Sequence, residues 1–222
     1  MNRQAKTSAR AACRPRISHA VKAACAAIAL ALPACSPGGD GPAGNRGDSP
    51  PLAGSSIGGA FELVDSDGET VRWSDFDGQY RVVYFGFAYC PDICPTDMQR
   101  IAQGMKALEK SDSDLAARVQ PIFITVDPER DTPEVVGEFT SAFSDNIIGL
   151  TGSSEQIDAA RDAFKIYAEK GEATPDGGYL VDHSAITYLF GPGGEPLATL
   201  PTDQPGRAGA ELFAAEIEKW AS

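Results

Sequence analysis

Two cysteines four positions apart are the residues in this sequence best suited to chemistry. They lie in the segment Cys90-Pro91-Asp92-Ile93-Cys94-Pro95, between a β-branched, aromatic stretch and an apolar pattern of helical spacing. At the start of a helix, positive partial charge and unpaired N–H groups favour a thiolate and lower its pKa. Two thiolates form a soft donor pair, which favours Cu(I), zinc or iron–sulfur centres over magnesium or calcium.

A histidine completes this candidate metal site. His183 comes directly before a predicted strand that starts at Ala185. Two sulfurs and one imidazole form a trigonal set that suits Cu(I) and can also hold Cu(II). The alternatives for the cysteines are a disulfide closing a very short loop, a pair of buried core thiols, or a zinc site completed by a carboxylate. A lone histidine is also compatible with a surface or core position.

The first 34 residues have the pattern of a secretory signal peptide. They contain six basic residues and no acidic ones, followed by an apolar run from Ala23 to Leu32. This run is shorter than the ~20 residues that a membrane-spanning helix needs. The segment Leu32-Pro33-Ala34-Cys35 resembles a bacterial lipobox, which predicts acylation of Cys35; ordinary cleavage beside an incidental cysteine is the alternative. We therefore expect an exported bacterial lipoprotein that faces the periplasm and is anchored to the membrane by its lipid.

Residues 35–56 are rich in Gly, Pro and Ser and predict a flexible tether with a reach of roughly 25 Å. Removal of the signal also removes Cys13, Cys25 and His19, and acylation blocks the thiol of Cys35, so Cys90 and Cys94 become the only free thiols and His183 the only imidazole. It changes the formal net charge from −12 to −18, because six positive charges are lost. Such an acidic chain repels phosphate backbones, which excludes nucleic acid as a partner.

Residues 57–222 predict one α/β domain, a mixed sheet flanked by helices with an added amino-terminal hairpin. The predicted order is β-β-β-α-β-α-β-α-β-β-α. In that order, the predicted strands and helices cover residues 61–64, 70–73, 81–87, 98–108, 119–126, 133–143, 147–150, 154–168, 185–190, 197–200 and 208–220. Asp131 is the expected cap of the helix that begins with Pro133. The cysteines follow the central strand at its carboxyl end, where open α/β sheets carry their sites.

Three segments together resemble the signature blocks of the Sco/SenC family. They are Phe85-Gly86-Phe87-Ala88-Tyr89-Cys90-Pro91-Asp92-Ile93-Cys94-Pro95, Val126-Asp127-Pro128-Glu129-Arg130-Asp131-Thr132-Pro133 and Asp182-His183-Ser184-Ala185-Ile186-Thr187-Tyr188-Leu189. The resemblance implies a thioredoxin-like fold, copper ligation by Cys90, Cys94 and His183, and assembly of the dinuclear copper centre of cytochrome c oxidase. The implied partners are the oxidase subunit that holds this centre and other periplasmic copper chaperones. Many family members have Thr-His where this chain has Ala88-Tyr89.

Asp127 and Asp182 are candidates for groups that support the ligands, although a loop turn or a strand-end cap would explain each of them equally well. The site leaves several functions open. A copper metallochaperone is the first hypothesis. A thiol–disulfide reductase that keeps the client's cysteines reduced would need Cys90 and Cys94 but not His183. A copper or redox sensor could use the same site, and a peroxidase is the weakest alternative.

Overall fold

The computed structural model describes residues 49–173 and 178–221, so the predicted signal peptide and Cys35 lie outside the described residues. Nine strands and five α-helices are assigned in this part of the chain. In chain order they are β1 (Glu62–Val64), β2 (Thr70–Arg72), β3 (Tyr80–Gly86), α1 (Ile93–Ser111), α2 (Ser113–Ala116), β4 (Val119–Thr125), α3 (Pro133–Ser141), β5 (Ile148–Leu150), α4 (Ser154–Phe164), β6 (Ala168–Ala173), β7 (Tyr179–His183), β8 (Thr187–Phe190), β9 (Pro196–Leu200) and α5 (Gly206–Trp220).

A five-stranded mixed sheet of order β5-β4-β3-β8-β9 forms the centre of the fold. Strand β3 pairs in parallel with β4 and antiparallel with β8, and the sheet continues with parallel β5 and antiparallel β9. Every residue of β3 is buried, as its nearly continuous apolar sequence predicts. The separate β1–β2 hairpin confirms the added amino-terminal hairpin. The predicted α/β class with a mixed sheet is confirmed.

Helix α1 leads directly from the carboxyl end of β3 and packs against α5. Its buried side chains include Met98, Ile101 and Leu108, which belong to the apolar stripe seen in the sequence. The loop at residues 87–92 therefore lies at the carboxyl end of the central strand, as expected. This topology places both cysteines where helix α1 begins.

The prediction that Asp131 caps helix α3 is wrong. Thr132 is the capping residue, and its hydroxyl accepts a hydrogen bond from the Val135 N–H at 3.4 Å. Asp131 is fully buried instead, and its Oδ2 accepts from the Ala88 N–H at 2.9 Å and from the Thr125 hydroxyl at 2.6 Å. Thr132 has the extended backbone that a capping residue needs, while the Asp131 carboxylate turns inward.

A second hairpin, β6–β7, was missed by the sequence analysis. Helix α4 was expected to reach Ala168 but ends at Phe164, because Lys165 adopts a left-handed conformation with φ 59° and ψ 40°. Strand β6 is mostly polar and exposed, so it lacks the apolar alternation by which strands are recognised. His183 is consequently the last residue of β7 and does not merely precede β8, which begins at Thr187.

The end of the predicted tether contacts the domain. The Leu52 N–H donates to the Leu197 carbonyl at 2.9 Å, and the Leu52 side chain packs on the core. Among the helices of the described residues, none combines the length and apolar character that a bilayer crossing requires.

Candidate metal centre

The two cysteines occupy different positions at the start of helix α1. Cys90 lies in the loop before the helix and is partly exposed, whereas Cys94 is the second residue of the helix and is fully buried. Both are free thiols. Pro95 stands in the first turn of the helix, where the missing N–H leaves no helical hydrogen bond unmade.

The sulfur of Cys90 replaces a conventional helix cap. Asp92 precedes the first helical residue, but its side chain accepts no capping hydrogen bond. The Cys94 N–H instead donates to Cys90 Sγ at 3.4 Å. This contact satisfies one of the unpaired donors of the first turn and brings the two cysteines together.

His183 reaches the same point from the end of β7. Its Nε2 lies 3.3 Å from Cys94 Sγ, and its Nδ1 lies 3.2 Å from the Ser184 carbonyl oxygen. A carbonyl only accepts, so Nδ1 carries the ring proton and the Nε2 lone pair faces Cys94. The Phe87 ring packs edge-on against the imidazole with centroids 5.8 Å apart. The ring is therefore fixed in the tautomer that offers Nε2 as a metal ligand.

Burial controls the protonation of this pair. Desolvation lowers the pKa of His183, against smaller raising effects from Ser184, Asp182 and Asp97, so the imidazole is neutral near pH 7. Burial also raises the pKa of Cys94 well above its usual range. The lowered thiol pKa that a helix start predicts is not found at Cys94, because burial raises this pKa more than the hydrogen bond with the Phe87 backbone lowers it. The Cys94 thiol therefore keeps its proton and donates a hydrogen bond to His183 Nε2.

Gly86 allows the buried sulfur to approach the sheet. A Cβ at this position would lie 3.0 Å from Cys94 Sγ, 2.9 Å from Tyr84 Cε1 and 3.1 Å from Phe123 Cε2. These distances are shorter than van der Waals contact. The glycine in Phe85-Gly86-Phe87 is thus required by the packing around Cys94.

Asp97 is a neighbour of the site that sequence analysis missed. It lies three residues after Cys94, hence on the same side of α1, and it is 2% exposed. Arg100 Nη1 is 3.6 Å from its Oδ1. Burial raises the pKa of Asp97, with opposing effects from Tyr84, Thr202 and Arg100. The three-residue spacing from Cys94 could have indicated that Asp97 lies near the site, but exposed acidic residues are common at that spacing.

The Tyr84 hydroxyl is buried beside Cys94 and Asp97. Burial raises its pKa, and the negative charges of those two neighbours add to the effect. Among the described residues, the hydroxyl has no hydrogen-bond partner of acceptable geometry. Tyr84 therefore stays neutral and forms an apolar wall beside the sulfur.

The two other candidate aspartates lie outside this contact. Asp127 is buried, and its carboxylate binds Arg130 Nε at 2.5 Å and the Tyr179 hydroxyl at 2.7 Å. Asp182 is exposed on β7, where it pairs in register with Glu169. The structure thus brings Cys90, Cys94 and His183 together, while Asp127 contacts the hairpin that carries His183.

The described residues contain no group of three or more acidic, cysteine or histidine side chains already arranged around a common metal position. The Cys94–His183 pair is in contact, and Cys90 adjoins it through the Cys94 amide. The donor set is the soft one that sequence analysis identified.

The comparisons with known proteins agree with this architecture. A family model described as SCO1/SenC matches residues 49–222. The SCO2-like protein RP587 of Rickettsia prowazekii is 40% identical over 158 residues, which are 71% of this chain and 75% of that protein. The mitochondrial SCO1 homolog of Homo sapiens is 37% identical over 139 residues, covering 63% of this chain and 46% of its own length. The chain thus spans about half of the human relative.

Among solved structures, ScoI of Bradyrhizobium japonicum with copper bound is 34% identical with a TM-score of 0.65. The match covers 74% of this chain and 99% of that one. It confirms the predicted thioredoxin-like fold. The chain belongs to the SCO1/SenC family.

Proposed function

We propose that this chain is a copper chaperone that binds copper through Cys90, Cys94 and His183. The observation that carries the ligand assignment is the 3.3 Å contact between Cys94 Sγ and a neutral imidazole whose Nε2 lone pair faces the sulfur. Cys90 Sγ adjoins this pair on the Cys94 amide. The copper-bound relatives support the choice of metal. Two thiolates and one imidazole suit Cu(I) and can also hold Cu(II).

The different exposure of the two sulfurs suits a carrier. Cys94 and His183 form the inner part of the site, and loading requires that the Cys94 proton leave. Cys90 lies at the surface, so an acceptor protein reaches this ligand first. Copper is the cargo in this scheme. Transfer proceeds by exchange of ligands, with a donor of the acceptor replacing Cys90 before the inner pair releases the ion.

The client in this proposal is the subunit that holds the dinuclear copper centre of cytochrome c oxidase, and other periplasmic copper chaperones supply the metal. Membership of the family supports this role. The basic leader and Cys35 support export and lipid anchoring on the periplasmic side of a membrane. The Gly/Pro/Ser-rich segment after Cys35 then separates the domain from the lipid.

A copper titration of the reduced protein tests the ligand set. Cu(I) affinity is measured by competition with a coloured chelator under anaerobic conditions. We expect one ion per chain, a loss of at least about 100-fold for His183→Ala, and loss of stoichiometric binding for the double Cys90→Ser, Cys94→Ser variant. Asp114→Asn is the control, because its exposed side chain lies on α2, which follows the end of α1 opposite to the cysteines; we expect it to bind like the wild type. Unchanged affinity in His183→Ala would refute the assignment.

A thiol–disulfide reductase is the second candidate, because the two thiols are unlinked and only one is partly exposed. Cys90 thiolate would attack a client disulfide and form a mixed disulfide, releasing one client thiolate. Cys94 would then attack Cys90 Sγ, releasing the second client thiolate and leaving a Cys90–Cys94 disulfide. Two electrons thus pass to the client. This function predicts that His183→Ala retains full activity toward a disulfide substrate.

A copper or redox sensor would use the same residues. It differs in requiring a regulator that binds only one state of the site, either copper-loaded or disulfide-bonded. A pull-down that compares these two states with the reduced protein separates a sensor from a carrier.

A further inference from the structure

The turn formed by residues 127–131 contacts both segments that carry the proposed ligands. On one side, Asp131 Oδ2 accepts from the Ala88 N–H at 2.9 Å, two residues before Cys90. On the other side, Arg130 Nη1 donates to the Tyr179 carbonyl at 3.0 Å, at the start of the strand that ends with His183. One short turn therefore supports the cysteine loop and the histidine hairpin together.

Arg130 makes the larger share of these contacts. Its guanidinium carbon lies 3.6 Å from the centre of the Tyr179 ring and 5.2 Å from that of Tyr89, the residue directly before Cys90. It also lies 5.7 Å from the centre of the Phe87 ring, which packs against the His183 imidazole. Cation–π contacts of this kind are stronger when partly desolvated, and the Arg130 side chain is only 22% exposed.

Asp127 closes the network around this guanidinium. Its Oδ2 accepts from Arg130 Nε at 2.5 Å, and its Oδ1 accepts from the Tyr179 hydroxyl at 2.7 Å. Arg130 and Tyr179 are thus held by the same carboxylate as well as by each other. A planar guanidinium with several donors in a fixed geometry can stack and bind at once, which an ammonium group cannot do.

Strand β7 connects this network to the metal site. Residues at alternate positions of a strand share a face, so Tyr179, Val181 and His183 point to the same side. The four residue steps from Tyr179 to His183 span about 13 Å of extended backbone. An extended, paired strand transmits a displacement of Tyr179 along its length to His183.

We propose that Arg130 is a positioning residue, which holds the β6–β7 hairpin against the cysteine loop and so places His183 beside Cys94. Only the expected effect of Arg130 on Cu(I) affinity rests on the proposed function. Its structural part concerns the metal-free protein.

Another contact joins the same turn and hairpin and provides a matched control. Lys170 Nζ lies 2.6 Å from Glu129 Oε2, but the two side chains are 50% and 60% exposed. Exposed ion pairs contribute little because water and salt screen them. Glu129→Gln therefore removes this ion pair between the same two elements, while the amide oxygen of glutamine can still accept the weak 3.4 Å hydrogen bond from the Tyr179 hydroxyl.

The first measurement is amide hydrogen exchange of the metal-free protein. We expect Arg130→Lys to accelerate exchange of the β6–β7 amides by about tenfold, since it removes stacking and a charge-assisted hydrogen bond. Glu129→Gln should change these rates by less than about twofold. Tyr179→Phe keeps the stacking and removes the hydroxyl, which donates to Asp127 Oδ1 at 2.7 Å and more weakly to Glu129 Oε2 at 3.4 Å. It replaces Arg130→Lys if that variant does not fold, with an expected acceleration of about threefold.

The second measurement is Cu(I) affinity in a double-mutant cycle with His183→Ala. Arg130→Lys should weaken binding by about tenfold when His183 is present and by less than about twofold when it is absent. Equal losses in both backgrounds would overturn the proposal, as would hairpin exchange that is the same in Arg130→Lys and Glu129→Gln. If the wild type binds no copper, the proposed function fails, and the exchange measurement alone then decides the role of Arg130.

Discussion

The packing of Gly86 against Cys94 offers a direct test of how the site is held. Alanine at position 86 would put a methyl group 3.0 Å from Cys94 Sγ and 2.9 Å from Tyr84 Cε1, both in fully buried side chains. Relief of this overlap requires shifts of several tenths of an ångström. The most direct shift moves the sulfur away from β3 and changes its 3.3 Å contact with His183. We therefore expect Gly86→Ala to lower Cu(I) affinity by about 10- to 100-fold.

The same overlap destabilises the fold. Extra volume in a packed core lowers the free energy of unfolding by about 1–3 kcal/mol. Urea denaturation of the variant and the wild type would measure this loss. The free energy of unfolding and Cu(I) affinity are thus both expected to fall in Gly86→Ala. Stability loss alone does not explain an affinity loss in a protein that remains fully folded under the assay conditions.

Gly104 provides the control for this prediction. It lies in the same helix as Cys94, and a Cβ there would overlap the Phe213 ring. Gly104→Ala should therefore cost stability through overpacking, partly offset by about 1 kcal/mol of improved helix propensity. Its Cu(I) affinity should stay within about twofold of the wild type, because the overlap is remote from the sulfur. Equal affinity losses in the two variants, or wild-type affinity in Gly86→Ala, would refute the reasoning.

Two further predictions concern Asp131 and Cys35. Burial raises the pKa of Asp131, so the folded protein keeps a proton that the unfolded chain releases, and stability falls as pH rises from the usual aspartate pKa to the raised one. In urea titrations across that pH range, Asp131→Asn should reduce the dependence of the unfolding free energy on pH, and an unchanged dependence would contradict this account. Asp131→Ala should lower the unfolding free energy by about 1–3 kcal/mol, because it leaves the Ala88 N–H and the Thr125 hydroxyl unpaired. Cys35→Ser should move the protein from the membrane fraction to the soluble fraction and abolish labelling by a radioactive fatty acid; unchanged labelling would exclude acylation at Cys35.

The sequence predicted those parts of the fold whose residues carry a strong pattern. Strand β3 was recognisable from its apolar run. The start of α1 was recognisable from the cysteine–proline segment that follows β3. Strand β6 was not, because its sequence Ala-Glu-Lys-Gly-Glu-Ala has neither alternation nor β-branched residues. Its pairing with β7 depends on contacts across the hairpin that local sequence does not reveal.

The sequence predicted which candidate donors lie near one another, but not the residues packed around them. Cys90, Cys94 and His183 were identified by residue type, and the structure brings them together. The burial of Asp97 and Asp131 was not foreseen, since acids are usually exposed and their environment depends on tertiary packing. The raised pKa of Cys94 has the same origin, because a helix start predicts the opposite direction unless burial is known.

The separation of the ligands along the chain determines when metal can be bound. Cys94 and His183 are 89 positions apart, and between them lie β4, β5, α3, α4 and the whole β6–β7 hairpin. Contacts of such long range form late in folding, because loop closure must come first. A nascent or unfolded chain therefore offers copper only a nearby pair of thiols. If the chain binds copper as proposed, the three-donor set is complete only once the β6–β7 hairpin lies beside the start of α1, and copper retention would then report correctly folded molecules.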